Sequence, residues 1–194
     1  MLDTSPSLLE QLRTGPREEA WRKLVDLYAP MLHGWIKRYS IQSSDVDDLV
    51  QEVLTTLVRE LPQFQCDSEH DSFRSWIRVI LAHRLQAVFR SRESQPQLAG
   101  GSDQAMLLDQ LADPNSDLSR VWNEEHDRHV AHTLLNAIRA DFEPNTWAAF
   151  QRTTMESAKA ADVAAELGLS VNAVFIAKSR VLRRLRWEIQ RILK

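Results

Sequence analysis

The chain contains a single cysteine, Cys66, in 194 residues. One thiol excludes an internal disulfide framework and fits a reducing compartment. Glycine and proline are also scarce, at five and seven, and alternating Val/Ile/Thr runs are rare, which leaves little material for a turn-rich β architecture. No apolar run reaches the roughly 20 residues of a membrane span, and the opening MLDTSPSLLEQLRTG lacks the basic-then-apolar order of a secretion signal. A cytoplasmic protein without membrane insertion is expected. Neither a phosphate-cradling glycine loop, nor a nucleophile elbow, nor HExxH occurs, so no enzyme, cofactor or catalytic residue is expected.

What is present favours helix. Leu, Ala, Arg, Glu and Gln dominate, and 43% hydrophobic with 26% charged residues is ordinary for a folded domain. The expected fold class is all-α. The net charge of −3 conceals strong segregation. Between Asp45 and Asp71 eight acids stand against Arg59 alone, Phe73 to Arg92 holds five arginines and no acid, and Ser170 to Lys194 holds seven basic residues against Glu188. Patches of opposite sign at separate places point to more than one partner.

Apolar residues recur at three- and four-residue steps over about 16–39, with Trp21, Leu24, Val25, Tyr28, Leu32 and Ile36 on one face and Pro30 as a point of kink or break. A second helix is expected from Ser44, where Ser44 and Asp47 resemble a capping box, to Pro62, with Val46, Leu49, Val53, Leu57 and Val58 inward. A third runs from Phe73 to Arg92 on a stripe including Phe73, Ile77, Leu81 and Leu85. Gly100 and Gly101, with Pro96 nearby, then mark an acidic linker with a short helical piece at Ala105–Leu111. A second helical unit begins near Asp117 with Leu118, Val121, Trp122, His126, Val130 and Leu134 at helical spacing. The expected layout is two small helical domains, 1–95 and 118–194, joined by a flexible acidic linker at 96–117.

In the second domain Ala160, Val163, Ala164 and Leu167 face inward on a short helix. Gly168 permits a left-handed turn, Ser170 suits the N-cap of the next helix, and Val174, Val181, Leu182 and Leu185 continue the stripe. Short helix, glycine turn and capped basic helix have the spacing of a helix-turn-helix; an antiparallel helix pair is the plainer reading. His126, His129 and His132 do not share one face and lack completing ligands, and Cys66 with His70 fall short of a zinc set, so they read as structural or surface residues and no metal site is expected.

ADVAAELGLSVNAVFIAKSRVLRRLR resembles the promoter-reading helix-turn-helix of bacterial RNA polymerase sigma factors, and DVDDLVQEVLTTLVREL with SFRSWIRVILAHRLQAVFRSR resembles their polymerase-binding and minus-10-reading helices. Two such domains around a short linker resemble the extracytoplasmic-function (ECF) type of the sigma-70 family. The resemblance implies an alternative sigma factor directing promoter-specific initiation, with core RNA polymerase and promoter DNA as partners and room for an anti-sigma factor that nothing in the chain identifies. It implies that Asp45, Asp47, Asp48, Gln51 and Glu52 face the polymerase, where acids on an exposed face would set orientation and on-rate; a solvated helix face is the alternative. It places minus-10 contacts at Arg74, Trp76, Arg78, His83 and Arg84, with arginines on phosphates and Trp76 either stacked on a base or part of the core. A common family pattern of Asn followed four residues later by Asp is here His83 and Ala87. The loop 65–72 would hold an extruded base, and the acidic segment 102–117 would thread the polymerase.

For the minus-35 element the resemblance implies Ser170, Asn172, Ala173 and Phe175 toward bases, with Lys178, Arg180, Arg183 and Arg184 on phosphates. Many relatives carry Lys-Ser-Arg where this chain has Phe175, Ile176 and Ala177, so which side of the helix Phe175 and Ile176 occupy decides between groove contact and packing. Two other function classes fit the same sequence: a free-standing helix-turn-helix regulator that binds duplex DNA without polymerase, and a helical adaptor with no nucleic-acid role.

Overall fold

The computed structural model describes residue 12 and residues 17–39, 41–64, 72–93 and 101–193. Eight α-helices are found among them, and no strand: α1 Arg17–Ile36, α2 Ser43–Glu60, α3 Phe73–Glu93, α4 Gly101–Ala112, α5 Asp117–Ile138, α6 Pro144–Thr154, α7 Ala160–Leu167 and α8 Val171–Leu193. Short 3₁₀ turns follow α2 and α5. The all-α expectation holds. No single helix among the described residues is long and apolar enough to cross a membrane.

Local chemistry explains several of the ends. The Ser72 hydroxyl accepts from the Ser75 amide at 3.4 Å, Ser116 from the Ser119 amide at 3.0 Å, and Ser170 from the Ala173 amide at 3.1 Å. Each thereby satisfies one of the orphan donors in a first helical turn. The start of α2 departs from expectation. Its N-cap is Gln42 with no side-chain cap bond, and Ser44 Oγ donates to Asp45 Oδ1 at 2.8 Å rather than closing a box with Asp47. Because the cap falls two residues earlier, at Gln42, Ser44 lies inside the first turn. Pro30 sits inside an unbroken α1.

The chain divides into two compact units, 1–130 and 131–194, and the division falls inside α5. This boundary differs from the expected one at 117/118. The reason is packing within the first unit. Trp122, fully buried, meets Trp35 edge-on with ring centroids 5.0 Å apart, and its indole N–H donates to the Arg74 carbonyl at 3.1 Å. His126, also fully buried, pairs with the Tyr28 hydroxyl at 3.1 Å, and His129 Nε2 donates to the Leu27 carbonyl at 2.7 Å. One Arg38 nitrogen, Nη2, donates to both carboxylate oxygens of Glu125 at 2.9 and 2.7 Å.

The segment expected to be a flexible linker is structured in its described part. Helix α4 is longer than the piece expected at Ala105–Leu111, and it packs on α3. Leu108 and Leu111 are buried, Gln86 Nε2 donates to Asp109 at 2.9 Å, and Arg78 donates to the carbonyls of Leu111 and Asp113 at 2.9 and 3.0 Å. Two buried leucines and the guanidinium bonds anchor the segment against the entropy of a free tether.

The second unit has two adjoining apolar clusters. Ile138, Trp147, Phe150 and Val181 form one; Ala149, Val163, Ala164, Val174 and Ala177 form the other. Small residues at the second let α6, α7 and α8 approach closely. Val25, Val58 and Val121, expected inward, are 37%, 42% and 38% exposed, since each lies at the edge of its stripe.

Candidate functional site

Three surfaces carry the expected residues, two on the first unit and one on the second. On α2, Asp47, Asp48, Gln51 and Glu52 are exposed and Asp45 is half-buried against Ser44. Asp48, Gln51, Glu52 and Thr55 recur at i, i+3, i+4 and i+7, which makes one stripe, and Val58 extends it. Opposite this stripe Val46, Leu49, Val50, Val53 and Leu57 are buried, so the helix is pinned by its apolar side while the acids stay in water. Asp47 lies 3.6 Å from His33 Nε2, and Glu52 lies 4.0 Å from Arg84. Contacts at those exposures fix side chains only weakly.

On α3 the expected set splits. Arg74 and Arg78 are 3% and 2% exposed. Arg74 donates to Asp127 at 3.1 Å, and Arg78 donates to the two carbonyls near the end of α4. Burial lowers the Arg78 pKa from its ordinary value, the Asp113 charge opposes that, and neighbouring Arg74 adds to the lowering. Both guanidiniums are committed inside the unit, which corrects their assignment to a DNA-facing surface. Arg84 is half-buried and donates to Thr56 Oγ1 at 2.8 Å. His83 is exposed, and with Trp76, Ala87 and Arg90 it follows the outward stripe of α3.

Trp76 is neither wholly core nor wholly free. It is half-buried, stacked on Phe64 with centroids 4.7 Å apart and tilted against Phe73 at 5.5 Å. It also lines an open pocket with Arg59, Glu60, Gln63 and Phe64. Aromatic faces beside an arginine can receive a planar base. The expected base-holding loop, 65–72, lies outside the described residues except for Ser72, as do Cys66 and His70. Among the described residues no group of three His, Cys, Asp or Glu side chains could hold a metal ion; His126 and His129 serve packing, and His132 meets Asn136 at 3.2 Å on the surface.

On the second unit α7 and α8 are joined by a turn that bends the path by 102°, within the range of helix-turn-helix pairs. Gly168 makes the turn at φ 65°, ψ 31°, a left-handed conformation that costs an L side chain roughly 1–2 kcal/mol. Val174, Ala177 and Val181 face the core, while Phe175 is 58% and Ile176 44% exposed. The apolar triple therefore divides, with Ala177 for packing and the other two outward. Asn172, Arg180 and Arg183 are also exposed, whereas Ala173 and Lys178 are half-buried. Ser179, outside the expected set, shares the line of Asn172 and Arg183 at i+7 and i+11, a repeat that the sequence already held.

Arg184 departs from the expected phosphate role. It bonds Asp141 at 2.9 Å, pairs with Glu188 on its own helix, and lies 4.5 Å over the Trp187 ring. Its pKa is raised, chiefly by the hydrogen bond to Glu188 and further by both acids, against some desolvation. An arginine so held ties α8 to the 3₁₀ turn after α5.

Comparison with known proteins found no match among curated sequences. A family model, Sigma-70 region 2, matches residues 24–95. That span covers most of α1, all of α2 with its acidic stripe, and the whole of α3 with its outward face and the Trp76 pocket. Residues 24–95 are thus similar to region 2 of the sigma-70 family of RNA polymerase sigma factors.

Proposed function

We infer that the chain is an alternative sigma factor of the ECF type, with a minus-10-reading first unit and a minus-35-reading second unit. The observation that carries this is the presence, after a region 2 match at 24–95, of a capped helix-turn-helix whose second helix keeps an open polar and basic face. The exposed stripe of Asp48, Gln51 and Glu52, with Asp47 beside it and Asp45 at its half-buried margin, docks on a basic surface of the polymerase. Charge there sets orientation and encounter rate more than affinity. His83, Trp76 and Arg84 meet the minus-10 strand, His83 by an edge contact and Trp76 by stacking in its pocket. Arg74 and Arg78 support them from inside.

In the second unit Asn172 and its neighbours on α8 enter the major groove, and Arg180 and Arg183 meet phosphates. The Ser170 hydroxyl, already accepting from the helix, is a cap first and a contact second. The chemistry of RNA synthesis belongs to the polymerase. Threading of residues 102–117 through the enzyme would require α4 to leave α3, giving up the Arg78 bonds to Leu111 and Asp113. Reversing the charge of the docking stripe tests the reading. Asp48→Arg with Glu52→Arg should abolish capture of core polymerase while helicity is kept, and undiminished capture would remove the docking assignment.

A further inference from the structure

Four large apolar side chains are exposed on the helix that carries the basic face: Val171 in its first turn, Trp187 beneath the Arg184 guanidinium, and Phe175 and Ile176 in the stretch between. Phe175 and Ile176 point away from Val174, Ala177 and Val181, which fill the core. At 3.6 residues per turn, Asn172, Ser179 and Arg183 run along the middle of the exposed face. Phe175 and Ile176 then flank that line, one on each side. The only acid of α8, Glu188, is buried and paired with Arg184, so the charge on the outward face is basic. That charge complements a phosphate-lined groove.

The floor of the major groove offers one apolar group, the C5-methyl of thymine. We propose that Phe175 and Ile176 are specificity-determining residues that recognise thymine methyls in the minus-35 element. The proposal rests on the reading of α7 and α8 as a duplex-binding unit, and it adds the chemical feature read. Asn172 supplies the directional hydrogen bonds along the centre, and the apolar pair on its flanks selects methylated pyrimidine edges. Cytosine at the same place would put a bare ring carbon and an exocyclic amine against an aromatic or aliphatic surface, leaving that amine's donor unmet.

The test uses the full chain with core polymerase and random-sequence duplexes, selected for binding and then remade with uracil in place of thymine. The substitution removes only the methyl. The wild type should enrich an element with at least one fixed thymine, and uracil there should weaken binding about four-fold. That corresponds to transferring one methyl-sized group, about 0.8 kcal/mol, at 1.4 kcal/mol per tenfold. Phe175→Ala or Ile176→Ala, both at exposed positions and checked for helicity by circular dichroism, should bind the thymine and uracil forms alike at the methyl each contacts. Equal binding of both forms by the wild type would overturn the proposal. So would loss of polymerase association in Phe175→Ala with an unchanged thymine preference, which would make the surface a protein contact. If no element is enriched at all, the duplex-binding reading itself fails and takes this inference with it.

Discussion

Arg183 and Arg184 are adjacent in sequence and alike in chemistry, yet the structure gives them different work, and replacing each with alanine separates the roles. Arg183 is exposed on the outward face of α8. If it neutralises one phosphate, its loss should reduce the slope of log K against log salt by about 0.9. Arg184 instead bonds Asp141 at 2.9 Å, pairs with Glu188 and covers Trp187. Glu188 is 7% exposed, and taking the guanidinium from a carboxylate so placed costs about 1–3 kcal/mol. For a unit of this size each kcal/mol lowers the Tm by roughly 4–8 °C. The assays are fluorescence anisotropy of the full chain on a random-sequence duplex across a salt series, and thermal melting by circular dichroism. Arg183→Ala should change the slope and leave the melt alone; Arg184→Ala should lower the melt and leave the slope. Equal slope changes in the two variants would refute the division.

Trp122→Ala removes a fully buried indole packed on Trp35 and its bond to the Arg74 carbonyl, and should destabilise the first unit by about 3–5 kcal/mol, read by urea melting; a change under about 0.5 kcal/mol would mean that α5 does not seat on this unit in solution. Burial raises the Tyr39 pKa from 10.0 to about 12, against a lowering by Arg38. Between those values the folded chain holds a proton that the unfolded chain has lost, so the contribution of Tyr39 is full below about pH 10 and disappears as pH rises toward 12. Tyr39→Phe should therefore unfold at higher pH than the wild type in alkaline titration, and coincident curves would contradict the burial argument.

Much of the architecture was legible because it is written locally. The stripe of Leu49, Val53 and Leu57, the left-handed turn at Gly168 and the cap at Ser170 each follow from spacing or backbone chemistry within a few residues. What was not legible depends on partners distant in sequence. Arg74 and Arg78 read as surface cations because arginine is rarely buried, and only α4 and α5, folding back with the Leu111 and Asp113 carbonyls and the Asp127 carboxylate, give them reason to be inside. A local hint existed: Arg74, Arg78, Leu81 and Leu85 recur at i, i+4, i+7 and i+11, so the two arginines share the inward stripe of α3. The acids of 102–117 looked like a soluble tether for the same reason, since charge sign alone does not reveal which basic residue it will meet. At Phe175 and Ile176 the helical repeat was readable, but the inward side of α8 was settled by how Val174, Ala177 and Val181 pack on α6 and α7.

Whether this chain confers promoter selection on a polymerase is decided by reconstituted transcription. The purified chain and core RNA polymerase are mixed on a library of genomic fragments, and transcript 5′ ends are mapped. Discrete start sites that share two upstream elements are expected, absent when the chain is omitted and lost with Asp48→Arg plus Glu52→Arg; transcription without such sites would refute promoter selection by the chain. Specific duplex binding by the chain alone, with no start site that depends on adding it to core polymerase, would contradict it.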